Sequence, residues 1–255
     1  MLVVERHQRI IEQLEEKRIV RVSELSKKFS VTEETIRRDL EKLEKEGYLT
    51  RSHGGAVFNE MVKNQEIPFA EREITNISKK KLIAQMSVRH VDESDTILLD
   101  ASSTAWYMAK ILPNMPLTVV TNSIKVAATL SEKDQITVIC TGGTLLNKSL
   151  SFVGSLTIQA LDQYFVNKAF ISCKGLDLEQ GFTESNEQQA LVKRKMLERS
   201  RQTFLMLDDS KIDVQAFAKV AHLQAADYLL INQPLDKHLY EKIHEQHEQI
   251  KVISK

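Results

Sequence analysis

The stretch SVTEETIRRDLEKLEKEGYLTRSHGG, from Ser30 to Gly55, decides how the first part of the chain folds. Thr32 is a good N-cap, and Glu33 and Glu34 follow in the first turn, where the helix dipole favours negative charge. Ile36, Leu40 and Leu43 recur at i, i+4 and i+7, one apolar face of a helix. Gly47 is the expected stop. Thr35, Arg37 and Arg38 fall on the exposed side of the first half, so one face can pack while the other meets something anionic.

Upstream, Ile10, Ile11 and Leu14 give a first helix over residues 5–16. Ile19 to Val22 is too short for a helix and reads as a small strand. Ser23 is placed to cap a second short helix, ELSKKF, and Ser30-Val31 makes a tight turn. Downstream, Tyr48 to Val57 reads as two extended pieces around Gly54-Gly55. Helix, helix, turn, helix and hairpin is the layout of a winged helix-turn-helix, whose last helix enters the major groove while the hairpin can touch phosphates.

The 255 residues are 42% hydrophobic, enough for more than one domain, and carry zero formal net charge. A broad basic field is therefore excluded, and any nucleic-acid contact must come from a few placed side chains. Cys140 and Cys173 lie in apolar runs and read as reduced core residues. With no signal-like segment and no apolar run near the roughly 18 residues of a membrane span, a cytoplasmic protein is expected.

Residues 1–57 resemble the N-terminal domain of the DeoR-type bacterial transcriptional regulators. The resemblance rests on Val31-Thr32-Glu33-Glu34-Thr35-Ile36-Arg37-Arg38-Asp39-Leu40, on Leu43-Glu44 and Gly47, and on the wing Arg51-Ser52-His53-Gly54-Gly55-Ala56. It implies double-stranded operator DNA as partner, with Thr32, Thr35, Arg37, Arg38, Arg51 and His53 as contacts. Each has a plainer reading beside it: Thr32 as a cap, the two arginines as solvated helix residues, His53 as a turn residue. Asp39 reads as a local partner for a basic neighbour.

Residues 58–78 lack a clear period and contain Pro68, so they read as a linker. Lys79-Lys80-Lys81 then reads as the solvated start of an amphipathic helix. From Asp95 onward, short apolar strands (96–100, 117–122, 136–140, 168–173, 203–208, 228–232 and 250–254) alternate with helical stretches, and Trp106 reads as core. The alternation predicts a Rossmann-like α/β domain over residues 79–255, a parallel sheet covered on both faces. Ligands of such sheets bind beyond the carboxyl ends of the strands. Those ends carry polar or glycine residues here: Asp100-Ala101-Ser102-Ser103-Thr104, Thr121-Asn122, Thr141-Gly142-Gly143-Thr144, Lys174-Gly175 and Asp208-Asp209-Ser210-Lys211. The first is either a phosphate site at a helix N-terminus or a plain Ser/Thr cap.

The same residues, with Phe152-Val153-Gly154, Val192-Lys193-Arg194-Lys195-Met196 and Gly181-Phe182-Thr183, extend the resemblance to the DeoR effector domain, which is similar in fold to ribose-5-phosphate isomerase. The resemblance implies a phosphorylated sugar effector at Ser102, Ser103, Thr104, Asn122, Gly142, Gly143, Lys193, Asp208 and Lys211, and a homo-oligomer, dimer or tetramer. Asp100 and Lys174 join this candidate set from the strand-end reading. Two departures stand out. Lys174 occupies the place of a family Asp, and Gln189 that of a family Glu. The loss of two carboxylates argues against proton-transfer chemistry, which needs a positioned base. An isomerase- or deaminase-like enzyme, or a second domain that only oligomerises, are the alternatives to an effector-controlled repressor of a sugar operon. The histidines show no metal-ligand spacing, and neither cofactor nor catalytic set is expected.

Overall fold

The computed structural model describes residues 3–45, 48–58, 66–247 and 249–255. The expected stop at Gly47 lies outside them. The chain forms two compact units, Met1–Gln65 and Glu66–Lys255.

The first unit contains α1 (Val3–Lys17), β1 (Ile19–Arg21), α2 (Val22–Phe29), α3 (Glu33–Lys45), β2 (Leu49–Ser52) and β3 (Gly55–Phe58). Its strands form one antiparallel sheet in the order β1-β3-β2. Ile36, Leu40 and Leu43 of α3 are buried with Ile10, Leu14, Leu25, Tyr48 and Leu49 in a separate core. Each fully buried Ile or Leu contributes about 1.5–3 kcal/mol. Ser30 turns the chain in the left-handed region at φ 54°, and Ser26 Oγ donates to Val31 O at 2.7 Å across the turn. Gly55 is required where β3 meets β1, because a Cβ there would lie 2.1 Å from Val20 O. Ser23 does not cap α2: Arg21 holds the cap position without a side-chain bond, since β1 runs directly into the helix.

The second unit contains α4 (Phe69–Arg72), α5 (Ile77–Val88), β4 (Thr96–Leu99), α6 (Ser103–Ile111), β5 (Leu117–Thr121), α7 (Ile124–Leu130), β6 (Ile136–Cys140), β7 (Thr144–Leu146), β8 (Ser151–Val153), α8 (Ser155–Asp162), β9 (Val166–Ile171), β10 (Gly175–Asp177), β11 (Gly181–Glu184), α9 (Glu187–Glu198), β12 (Ser200–Leu207), β13 (Ala218–Ala221), β14 (Tyr228–Ile231), α10 (Lys237–Gln246) and β15 (Lys251–Ile253). Seven strands make one sheet, β15-β14-β12-β9-β4-β5-β6, parallel throughout. Alternate residues of each strand enter opposite cores, as the strand period requires. Leu98, Val120, Ala169 and Leu205 pack with α8, α9 and α10, whereas Ile97, Leu99, Phe170 and Phe204 pack with α5, α6 and α7. The strand order reverses between β4 and β9: β5 and β6 build outward on one side, β9, β12, β14 and β15 on the other. That reversal marks where ligands bind in such sheets.

Several expectations change. A hairpin, β7–β8, and a small antiparallel sheet, β10-β11-β13, stand beside the main sheet. Their three- and four-residue strands are too short for a legible period. The expected linker is divided: Phe58 belongs to β3, and residues 66–78 belong to the second unit. Lys80 is not solvated but buried, its Nζ donating to Arg72 O. Cys140 is exposed at the end of edge strand β6, while Cys173 is buried. Trp106 is only half-buried, its indole N–H donating to Thr129 Oγ1 at 3.0 Å.

Candidate functional site

In the first unit, Thr32 Oγ1 accepts from Thr35 N at 3.2 Å, which starts α3 as its sequence indicates. Arg37 and Arg38 pair along the helix with Glu33 at 2.9 Å and Glu34 at 3.2 Å, and both side chains are more than half exposed. Such exposed i, i+4 pairs contribute a few tenths of a kcal/mol, so either guanidinium can exchange its partner for a phosphate or base edge. Asp39 points the other way. It accepts from Arg6 Nε at 2.6 Å and Nη2 at 3.1 Å, and it pairs with His7 Nε2 at 2.9 Å, locking α1 onto α3. Arg51 is engaged by Glu44, which accepts from its backbone N at 2.8 Å and its Nε at 2.7 Å and so ties the wing to α3. The Arg51 backbone bond, followed by its side-chain bond, lowers the Glu44 pKa. His53 is exposed at the tip between β2 and β3.

In the second unit, the reversal between β4 and β9 is bridged by Asp100. The Asp100 carboxylate accepts from Ser102 N at 3.0 Å and Ser172 N at 2.9 Å, and Lys193 Nζ lies 3.1 Å away. Lys193 also donates to Ser172 O at 2.5 Å and to Glu184. Burial alone would lower the Lys193 pKa, but the Glu184 and Asp100 carboxylates outweigh it and raise it. Asp100 and Lys193 are thus held by protein partners and form a buried charged floor. Lys211 is held in the same way, by Ser172 Oγ at 2.9 Å and Cys173 O at 2.8 Å. Asp208 accepts from Asn76 Nδ2 at 3.2 Å and from Ser210 Oγ.

Around that floor lie the other strand-end groups. Ser102 Oγ caps α6 by accepting from Ala105 N at 3.0 Å, which leaves the N–H groups of Ser103 and Thr104 without an intrahelical acceptor. Asn122 donates to Phe152 O at 2.9 Å, yet its Oδ1, like Thr141 Oγ1, is buried without a partner. Gly142 and Gly143 hold φ of +62° and +120°; a Cβ on Gly143 would strike Thr157 Oγ1 at 2.2 Å, whereas one on Gly142 meets open space. Lys174, half-buried after β9, uses its backbone N to donate to Thr183 O at 2.9 Å.

The structure also assembles residues that sequence reasoning missed. Residues 66–76 cross the ends of the strands as a strap. Phe69 N donates to Lys148 O at 2.7 Å and Tyr107 Oη to Glu73 O at 2.7 Å, while Gln189 Nε2 bonds Ser151 Oγ at 2.6 Å and Glu66 Oε1 at 3.3 Å. Arg72, Glu66 and Glu184 therefore join the site. A one-turn helix has too few residues to show a period; only Pro68, which fits a helix start, marked it. Among the described residues, no group of three or more His, Cys, Asp or Glu could hold a metal.

The profile of the DeoR C terminal sensor domain matches residues 75–233, and that of the DeoR-like helix-turn-helix domain matches residues 6–62. The chain belongs to the DeoR family of transcriptional regulators. It is 57% identical to the HTH-type transcriptional regulator YulB of Bacillus subtilis (strain 168), over 92% of this chain and 91% of that one. It is 38% identical to the L-fucose operon activator of Haemophilus influenzae, over 91% and 92%. It is 34% identical to the HTH-type transcriptional repressor GlcR of Bacillus subtilis (strain 168), over 79% and 78%. This DeoR-family chain is a DNA-binding regulator with a sensor domain, not an enzyme, and the Rossmann-like reading of its second unit agrees with the sheet order. Among the described residues, no helix is long and apolar enough to cross a membrane.

Proposed function

We propose that this regulator binds operator DNA through α3 and the β2–β3 wing, and that a phosphorylated sugar bound at the strand ends of the sensor unit controls it. The observation that carries the reading is the site at the β4/β9 reversal: a charged floor of Asp100, Lys193 and Glu184, flanked by the α6 N-terminus, the Gly142-Gly143 turn and the unpartnered Asn122 Oδ1 and Thr141 Oγ1. Hydroxyls, free N–H groups and a close backbone approach suit a polyhydroxylated anion. Ser102, Ser103, Thr104, Asn122, Gly142, Gly143 and Lys174 surround the ligand in this reading. Asp100, Lys193, Asp208 and Lys211 act by positioning them.

The protein works in the cytoplasm as a homo-oligomer, because a single short reading head gives limited affinity and a symmetric pair reads two half-sites. We assign it as a repressor of a carbohydrate operon, in line with the repressor among its relatives; the fucose operon activator gives the opposite sign its own support. A gel shift with DNA from its own upstream region, with and without ribose 5-phosphate, glucosamine 6-phosphate and the free sugars, tests the reading. Release of DNA by a phosphorylated sugar alone is expected. No effect of any phosphorylated compound on DNA affinity, together with no binding by calorimetry, overturns it. Deletion of the gene is expected to raise transcription of its neighbours; a fall makes it an activator.

A further inference from the structure

We propose that Arg72, carried by the strap and not by the sheet, takes the anionic group of the effector. The inference rests on the sugar-phosphate reading of the same site and names the residue that recognises the charge.

The strap is pinned along its length. Phe69 N is held by Lys148 O, Glu73 O by Tyr107 Oη, Asn76 Nδ2 by Asp208, and the Arg72 carbonyl accepts from buried Lys80. The Arg72 guanidinium is oriented too. Its Nε donates to Ile67 O at 3.0 Å and its Cζ lies 5.5 Å from the centroid of the Phe69 ring. Its Nη2 is buried and has no hydrogen-bond partner. A buried charged nitrogen without a partner is costly, so a fixed guanidinium edge of this kind is a site for an acceptor. Burial lowers the Arg72 pKa, against the opposing pull of Glu184, Glu66 and Asp100, and the strap that carries it reaches the site through Glu66 on Gln189 Nε2 and Asn76 on Asp208. Asp100 and Glu184 are engaged by Lys193 and by the N–H groups of Ser102 and Ser172, and Glu66 by Gln189 Nε2, whereas Arg72 Nη2 has no partner. A planar, permanently charged fork suits a phosphate or carboxylate oxygen, and holding it before binding lowers the cost of ordering it.

The strap is also the part of the sensor unit that follows the DNA-binding unit in sequence. An anion that engages Arg72 therefore acts on residues that follow the unit boundary directly in sequence.

Calorimetric titration of the full chain with inorganic phosphate, ribose 5-phosphate, glucosamine 6-phosphate, ribose and glucosamine tests this, using wild type, Arg72→Gln and Arg72→Lys. Arg72→Gln is expected to lose roughly tenfold to hundredfold affinity for the phosphorylated probes, with no change toward the free sugars. Arg72→Lys is expected to recover part of the loss. In the wild type, hydrogen exchange of the amides of residues 66–76 is expected to slow when the tightest probe binds, a readout that does not depend on any variant folding. Equal affinities for wild type and Arg72→Gln, or strap exchange unchanged by a bound probe, overturn the inference and leave the sugar-phosphate reading standing. Wild-type protein that binds none of the probes overturns that reading, and the inference with it.

Discussion

Replacing Asp39 separates the packing face of α3 from the face proposed to read DNA. The residue is 5% exposed and receives two bonds from Arg6, itself 6% exposed, plus a contact from His7. Asp39→Asn keeps the shape but removes the charge that compensates the Arg6 guanidinium. Breaking one side of a buried ion pair costs about 3–5 kcal/mol, and Asn, which can still accept one bond, sits near the lower end at about 3 kcal/mol. For a unit of this size 1 kcal/mol moves the midpoint by about 4–8 °C, so a fall of about 12–24 °C is expected. Calorimetry of the full chain should show only the transition of the DNA-binding unit moving, because each unit has its own core. Well below that midpoint, operator affinity should stay near wild type, since the Asp39 side chain faces Arg6 and not solvent. The double replacement Arg6→Met with Asp39→Leu should recover most of the loss, as apolar substitutes for buried pairs often do. A midpoint within about 4 °C of wild type for Asp39→Asn would refute the assignment of Asp39 as the clamp between α1 and α3.

Arg37→Ala and Arg38→Ala are each expected to weaken operator binding in a gel shift by about tenfold while the melting midpoint moves by no more than about 2 °C; unaltered affinity in both removes α3 as the reading helix. Gly143→Ala should destabilise the sensor unit by about 2 kcal/mol or more, because its Cβ meets Thr157 Oγ1 at 2.2 Å and Val153 O at 2.7 Å at a φ of +120°. Gly142→Ala, open but at φ +62°, should cost only about 1 kcal/mol; the reverse order in thermal melts sinks the argument. Burial, then the neighbouring Lys211, pulls the Lys80 pKa from 10.5 down to about 7, against the opposing pull of Asp208. The unfolded chain therefore binds more protons than the native one between those values, and native stability rises with pH across that window. Relative to Lys80→Met, wild type should lose ground as pH falls from about 10 toward 7 and level off below; a pH-independent difference in melting midpoint refutes this.

Local sequence determined what local physics controls. The cap at Thr32, the apolar spacing of Ile36, Leu40 and Leu43, and the Gly54-Gly55 turn wrote α3 and the β2–β3 hairpin directly. Seven near-continuous apolar strands separated by helices wrote the two-sided parallel sheet. Polar and glycine residues at the strand ends marked which side of the sheet to search. The tertiary structure alone decided how those residues are used. Asp100 and Lys193 are ninety-three positions apart, and they meet only because α9 carries Lys193 back to the ends of β4 and β9, where the sheet reverses. Cys140 has an apolar run before it but ends an edge strand, so its neighbours in sequence misreport its exposure. The lysine run looked solvated, yet Lys80 turns inward to Arg72 O. The strap that carries Arg72 is a single helical turn among irregular residues, held by partners such as Tyr107, Lys148 and Gln189. A sequence period reports which face of an element is buried; it does not report which distant side chain will meet that face, and the candidate site is made of such meetings.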